Sequence, residues 1–181
     1  ATSRSLSIRF YVDGRYGSSQ TTDLRAEPLA AFISESVDMT RALHQDPFRL
    51  ITDPELFEGR SEVDLELMDP SIRALSRDDR LEICHTQNER LVGGDRVISA
   101  TSYSSDGHSI SASASSNGFV GSQESTWLWL GSEVTVRGEG ERKPEGWMWG
   151  GAANRSDAPS VVEVADMAMQ RAQDQLGSVK G

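Results

Sequence analysis

The sequence is poor in cysteine, in basic residues and in long apolar runs. Cys84 is the single cysteine in 181 residues, which excludes an internal disulfide framework and fits a reducing compartment. Lysine and arginine number 18 against 28 acidic residues, so the net charge is −10. This balance argues against sequence-independent nucleic-acid binding and against docking on anionic lipid, because both need clustered cations. No apolar run approaches the roughly 20 residues of a membrane span, and these residues show no signal-peptide pattern.

The common catalytic and metal-binding motifs are also missing. His44, His85 and His108 stand far apart in the sequence, and no pair of histidines has the spacing of a helical zinc site. No Gly-x-Ser-x-Gly motif is present, and Gly138–Glu141 carries acids where a phosphate loop needs amides and cations. Cys84 beside His85 is interpreted as a buried thiol next to a polar histidine. The sequence therefore predicts no catalytic and no metal-binding residue.

The first 75 residues predict a hairpin, a helix and an arm. Residues 5–21 alternate around Asp13-Gly14, a pair typical of two-residue hairpin loops. A helix is predicted from about Glu27 to His44, with proline in its first turn. Its apolar stripe is predicted to be Leu29, Phe32, Ile33, Val37 and Leu43. Within residues 45–75, Asp46-Pro47 and Asp53-Pro54 favour an extended surface arm whose apolar side chains dock on the parent domain or on a partner.

Residues 76–181 predict a helix, a meander and a last helix. Ser76 is the predicted N-cap of the second helix, and Gly93-Gly94 its end. From Val97 to about Arg155 the pattern has period two, which predicts an antiparallel meander with turns at Asp106-Gly107 and Asn117-Gly118. The last helix is predicted to start at Ala158-Pro159. The predicted core residues of the two helices are Leu81, Cys84, Asn88 and Leu91, then Val161, Ala165, Ala168, Met169, Ala172 and Leu176. The fold class is therefore α+β: a β-hairpin and an antiparallel meander with three helices packed against the sheet.

The meander contains two unusual compositions. Residues 99–125 hold eleven serines in 27 positions, and such a strand face can line a wet cavity or bind extended peptide backbone. All four tryptophans follow, in pairs spaced i, i+2, so neighbouring strands can place them on one surface. They are Trp127, Trp129, Trp147 and Trp149. The rings either cover a core against the helices, which is the favoured interpretation, or form the wall of a peptide channel or a subunit interface.

Three short segments resemble, in order and spacing, motifs of the TldD/PmbA family, whose PmbA members are also called TldE. The first joins a hairpin with an Asp-Gly turn to Thr-x-Asp-Leu, the second is an arm with two Asp-Pro pairs, and the third is a Ser-Asn-Gly-Phe segment followed by Ser-Thr. They are Tyr11–Ser19 with Thr22–Leu24, Asp46–Phe48 with Asp53–Phe57, and Ser115–Phe119 with Ser125-Thr126. The likeness covers roughly residues 10–177.

The resemblance implies a bacterial or archaeal cytoplasmic protein that is part of a zinc metallopeptidase assembly, with a family label of modulator of DNA gyrase. It implies a TldD-like or PmbA-like partner subunit, in a homo- or hetero-oligomer, and a peptide substrate. The family's zinc motif is not among these residues, so zinc is expected in a catalytic subunit or in a metallopeptidase-like C-terminal half absent from this chain. Because the chain is acidic, an effect on gyrase would be indirect, through proteolysis.

The leading hypothesis is a single N-terminal-type, non-catalytic α+β domain over residues 1–181 that shapes the substrate cavity and the partner interface. Its first residue is Ala1 rather than Met, which suggests a fragment, a trimmed chain or a processed chain. The candidate substrate-binding residues are Asn117 and the four tryptophans. The alternative is a stand-alone module that binds peptide or polysaccharide on its Trp- and Ser-rich sheet face, and an independent hydrolase is the least supported.

Overall fold

The computed structural model describes residues 2–94 and 96–178, and it confirms the α+β class. These residues form two compact units. One unit contains the chain up to Arg60 together with Ala114–Phe119, and the other contains Ser61–Ser113 and the chain from Val120 onward. Among the described residues, no helix is long and apolar enough to cross a bilayer. Whether the chain is a single family domain stays a prediction.

The first unit is built on a two-stranded hairpin. Strand β1 (Leu6–Val12) pairs antiparallel with β2 (Arg15–Thr21), as the alternation predicted. Asp13 and Gly14 have φ values of 50° and 72°, the left-handed pair that a two-residue hairpin turn requires. The Asp-Gly signal therefore placed this turn correctly.

Helix α1 (Ala26–Arg41) packs on the hairpin. Its fully buried residues are small, and Leu29, Phe32 and Val37 of the predicted stripe are half-buried. Ser36 and Thr40 are buried, and a Cβ on Gly17 would lie 2.2 Å from the Thr40 hydroxyl oxygen. Because helix and strand approach at these small side chains, larger ones stay at the flanks. Ile33 and Leu43 are exposed, and Leu43 follows the end of the helix, so the predicted stripe is wrong at these two positions.

Several apolar side chains of the arm are exposed. Its Asp53–Phe57 segment forms one 3-10 turn over Pro54–Phe57, capped by the Asp53 carboxylate. The Phe57 ring lies 4.9 Å from that of Phe119. Phe48, by contrast, is 93% exposed. Docking of the arm on a partner stays a prediction.

The second unit contains a three-stranded antiparallel sheet in the order β3-β4-β5. The strands are β3 (Val97–Ala114), β4 (Val120–Val136) and β5 (Glu145–Ala152). Two long helices, α3 (Arg77–Val92) and α4 (Val161–Gln173), pack together, and α4 lies on β4 and β5. Sequence reasoning missed a fourth, short helix, α2 (Pro70–Arg73).

The predicted turn at Asp106-Gly107 is wrong, because both residues lie inside the continuous strand β3. The Asp106 carboxylate accepts two hydrogen bonds from Arg80, at 2.5 and 2.7 Å. A Cβ on Gly107 would lie 2.0 Å from the ring of Trp127. Aspartate and glycine are therefore present here for an ion pair and for close packing rather than for a turn.

The core of the second unit lies between the sheet and the helices. Ser76 caps α3 as predicted, in a capping box with Asp79. The buried face of α3 is Ile83, Gln87 and Leu91. Leu81 is exposed and was wrongly placed on this face, because the buried side of α3 is turned by one residue, from the predicted Cys84 and Asn88 to Ile83 and Gln87. Helix α4 buries Val164, Ala165, Ala168 and Ala172, which confirms the predicted alanines.

Candidate functional site: an aromatic sheet face

Strands β4 and β5 place all four tryptophans on one side of the sheet. Trp129 pairs with Gly151, and Trp149 pairs with Gly131. Since successive side chains of a strand point to opposite faces, Trp127 and Trp147 share this side too. The other side of β4 carries Leu128 and Leu130, which are 2% exposed in the core.

The tryptophan rings point away from the helices. Trp129, Trp147 and Trp149 are 49%, 57% and 46% exposed, and Trp127 is half-buried. The interpretation of these rings as a cover for the core is therefore wrong. The physical reason is that the residues between and after the rings, Leu128 and Leu130 on β4 and Met148 on β5, already pack on the helix-facing side. Together with Tyr103, the four rings are called the tryptophan face below.

Each of three rings on the tryptophan face lies against a glycine. A Cβ would meet the ring of Trp127 at Gly107, that of Trp149 at Gly131 and that of Trp129 at Gly151, all within 3.0 Å. Glycine inside a strand often marks a close approach of this kind. The glycines thus let the large rings lie against the neighbouring strands, while Trp129 and Trp149 stay about half exposed.

Two further contacts fix the outer parts of the face. The ring of Tyr103, on β3, stacks on that of Trp149 with centroids 4.9 Å apart and an interplanar angle of 24°. Arg171, on α4, donates to the carbonyl oxygen of Trp147 at 2.7 Å, and its guanidinium lies 5.7 Å from the centroid of that ring. Sequence reasoning missed both Tyr103 and Arg171.

Asn117 does not belong to the same unit as the tryptophans. It lies in the turn of the β3–β4 hairpin, where Gly118 has φ 97°, within the first unit. Its side-chain amide donates to the carbonyl oxygen of Thr52 in the arm. This contact gives Asn117 a structural role in holding the arm to the hairpin turn, and a role in substrate binding stays a prediction.

The titratable side chains of the described residues form no recognisable catalytic or metal centre. His108 is hydrogen-bonded to Glu124, with Nε2 and Oε1 2.6 Å apart. Cys84 is half-buried, and burial raises the pKa of its thiol, which lowers the fraction of nucleophilic thiolate. No group of three or more histidine, cysteine, aspartate or glutamate side chains within residues 2–94 and 96–178 is placed to hold a metal ion.

A groove of about 570 Å³ in the second unit was not foreseen from the sequence. It is lined by residues 63–68, residues 122–124 and Asn154. Asn154 donates its side-chain amide to the carbonyl oxygen of Glu66. This lining holds Asp64, Glu66 and Glu124 but no basic side chain, so the groove is acidic like the chain as a whole.

Comparison with known proteins identifies relatives of this chain. A family model described as the PmbA/TldA metallopeptidase central domain matches residues 69–176. A protein named as a modulator of DNA gyrase from Bacteroides thetaiotaomicron has a similar structure, with a TM-score of 0.90 and 34% identity. That match covers 100% of this chain and 41% of that chain. No curated protein matches.

Two more distant structures share the fold. A protein named as a modulator of a DNA gyrase from Thermotoga maritima gives a TM-score of 0.72 at 16% identity, over 98% of this chain and 39% of that one. TldE from Thermococcus kodakarensis gives a TM-score of 0.64 at 16% identity, over 91% of this chain and 36% of that one. The chain thus spans about two fifths of the length of these relatives. Because the family model matches more than half of its residues, the chain belongs to the TldD/PmbA family.

Proposed function

We propose that this chain is a non-catalytic, cytoplasmic part of a TldD/PmbA-type metallopeptidase subunit that holds unfolded peptide and a partner subunit. Bond cleavage then occurs on residues outside Ala1–Gly181. The observation that carries the proposal is the exposed tryptophan face, in a chain whose family model is described as that of a metallopeptidase central domain. Exposed aromatic rings beside a strand of hydroxyl side chains suit an extended peptide, because they offer both apolar contact and hydrogen bonds.

Zinc, which the family implies, does not fit the described residues. No three candidate ligands converge among them, and a protein zinc site needs at least three. His108 is hydrogen-bonded to Glu124, and the same carboxylate lies 3.8 Å from the Arg73 guanidinium. A cation at this place disfavours a metal ion. We therefore assign no step of the reaction to a metal held by these residues.

The arm supplies the surface for the partner subunit. Phe48, Leu50 and Leu56 are 93%, 70% and 74% exposed. Asp46 and Asp53 each accept a hydrogen bond from the backbone N–H two residues on, so local turns help to fix the arm's shape. Large apolar side chains held outward in a fixed shape are typical of a subunit contact. The partner is a TldD-like or PmbA-like subunit.

The experiment compares this chain with the full-length protein that contains it. Both are purified with and without the partner subunit, and zinc content and cleavage of an unstructured peptide are measured. We expect no zinc and no cleavage with this chain alone, and both in the full assembly. In that assembly, Trp129→Leu should raise KM for the peptide and leave the zinc content unchanged. Peptide cleavage by the isolated chain would contradict the proposal.

A second function is favoured by one specific observation. Three exposed tryptophans on a flat sheet face also suit the apolar faces of sugar rings, as expected for a stand-alone polysaccharide-binding module. Retention of the chain on an insoluble polysaccharide, lost in Trp129→Leu, would support this function. Binding of peptide without any retention on polysaccharide would exclude it.

A further inference from the structure

We propose that the tryptophan face selects extended peptide segments that carry arginine or lysine side chains. This inference rests on the proposed function, in which the face holds peptide, and it adds the chemical class of that peptide. Three features support it: a carboxylate without a cation, a guanidinium that already lies over one ring, and the negative net charge of the chain together with the small exposed area of the face.

Glu133 places a carboxylate without a cation on the tryptophan face. It pairs with Trp147 in the β4–β5 register and is half-buried, two residues from the glycine beneath Trp149. Among the residues that the structure describes, none forms a hydrogen bond or an ion pair with this carboxylate. A partly desolvated charge is costly unless it is paired. A ligand ammonium or guanidinium would supply the missing pair.

Arg171 shows that a ring of this face accepts a guanidinium. Its group lies over Trp147 and is anchored to the carbonyl oxygen of the same residue. The side chains of Trp129 and Trp149 are about half exposed. No arginine or lysine side chain of the described residues lies over either ring. Tryptophan is the best cation–π partner among the aromatic residues. Tyr103 already stacks on the ring of Trp149, so it is the ring of Trp129 that offers a ligand the contact that Trp147 already has.

The net charge of the chain and the exposed area of the tryptophan face indicate which ligand binds there. A net charge of −10 attracts basic segments and repels a second copy of the chain. The exposed parts of Tyr103, Trp129, Trp147 and Trp149 amount to roughly 400 Å², about half of the ~800 Å² per partner of a stable protein interface. An extended segment fits this area. In such a segment, alternate side chains lie about 6.6 Å apart, which is also the spacing of Trp147 and Trp149 along β5.

The intrinsic fluorescence of the chain reports on this face alone, because the chain has no tryptophan outside it. The chain is titrated with a capped peptide of alternating alanine and arginine, with the same peptide carrying neutral citrulline for arginine, and with a neutral cello-oligosaccharide. We expect the arginine peptide to bind roughly tenfold more tightly than the citrulline peptide, since a desolvated cation–π contact and an ion pair are both lost. Added salt should reduce the difference.

Two charge-matched variants localise the effect. Glu133→Gln removes the ion pair but keeps the cation–π contact, so it should lower the preference for arginine over citrulline from about tenfold to about threefold. Glu139→Gln, which removes the same charge from the exposed loop before β5, should keep the preference at about tenfold. Circular dichroism checks that both variants are folded. Equal affinity for the two peptides, or a preference that Glu133→Gln leaves undiminished, would overturn the inference and leave the proposed function standing. Binding of the oligosaccharide with no binding of either peptide would overturn both.

Discussion

Alanine at two glycines on opposite faces of the same sheet should separate the stability of the second unit from its binding surface. Gly146, on β5, faces helix α4, whereas Gly131, on β4, faces the tryptophan side. At Gly146 an added Cβ would lie 2.1 Å from the carbonyl oxygen of Ala168 and 2.4 Å from the backbone nitrogen of Ala172. At Gly131 it would lie 2.7 Å from the ring of Trp149.

The two collisions differ in what can give way. Backbone atoms of a packed helix cannot rotate aside, so Gly146→Ala must push α4 away from β5 by about 1 Å or more to restore ordinary contact. Overpacking costs typically 1–3 kcal/mol, and we expect about 3 kcal/mol here because backbone is involved. For a chain of this size that corresponds to a Tm lower by roughly 6–12 °C. The Trp149 ring can swing into solvent, so Gly131→Ala loses about 1 kcal/mol of ring stacking, offset by the better strand propensity of alanine.

Thermal unfolding by circular dichroism and peptide titration by tryptophan fluorescence test both variants together. Gly146→Ala should lower Tm and keep its peptide affinity at a temperature where it is folded, and Gly131→Ala should keep Tm within about 3 °C and lose affinity. Gly93→Ala is the matched control, because a Cβ there meets nothing closer than 4.0 Å. A Tm for Gly146→Ala equal to that of Gly93→Ala would refute the direct packing of α4 on β5. Unchanged peptide affinity in Gly131→Ala would refute the role of the flat Trp149 ring.

Three further outcomes follow from local contacts. Ser76→Ala removes the N-cap of α3 and should cost about 1 kcal/mol in urea unfolding, unless another group replaces the cap. Hydrogen bonds from the Arg155 backbone and from Ser71 lower the pKa of Asp69, so its ionised form stabilises the fold above the usual value of 3.8, and this stability is lost as the pH falls through the lower folded value. Asp69→Asn should therefore flatten the acid limb of a stability–pH curve, and an unchanged limb would contradict the assignment. Burial raises the pKa of the Cys84 thiol, so Ellman's reagent should react more slowly with folded than with urea-unfolded chain at neutral pH.

Features encoded within a few residues were predictable from the sequence. The capping box of α3 needs only Ser76 and Asp79, three positions apart, and both hydrogen bonds are present. The turns at Asp13-Gly14 and Asn117-Gly118 need only a residue pair that tolerates positive φ, and the first has it at both positions. Such signals involve no distant partner, so the local sequence is enough to predict them.

Features that depend on a distant partner were not predictable in this way. Asp106-Gly107 has the composition of a turn, yet its conformation is decided by Arg80 on α3 and by Trp127 on β4. The buried face of α3, a helix that packs on α4 and β4, includes the polar Gln87, which is 0% exposed. In both cases the tertiary contact outweighs the local preference, and only the structure shows which contact that is.

The geometry of the tryptophan face, in contrast, has a sequence signal that pattern reasoning could have used. Both strands carry Trp-x-Trp-x-Gly, with Trp127, Trp129 and Gly131 on one and Trp147, Trp149 and Gly151 on the other. In an antiparallel pair, the register that places Trp129 opposite Gly151 also places Trp149 opposite Gly131. The structure has this register. If large rings had to be buried against helices, glycine would be a poor neighbour, because it leaves a void. Glycine is instead suited to a ring that lies flat on the sheet with its other face open, so the repeated motif indicates an exposed aromatic surface rather than a core.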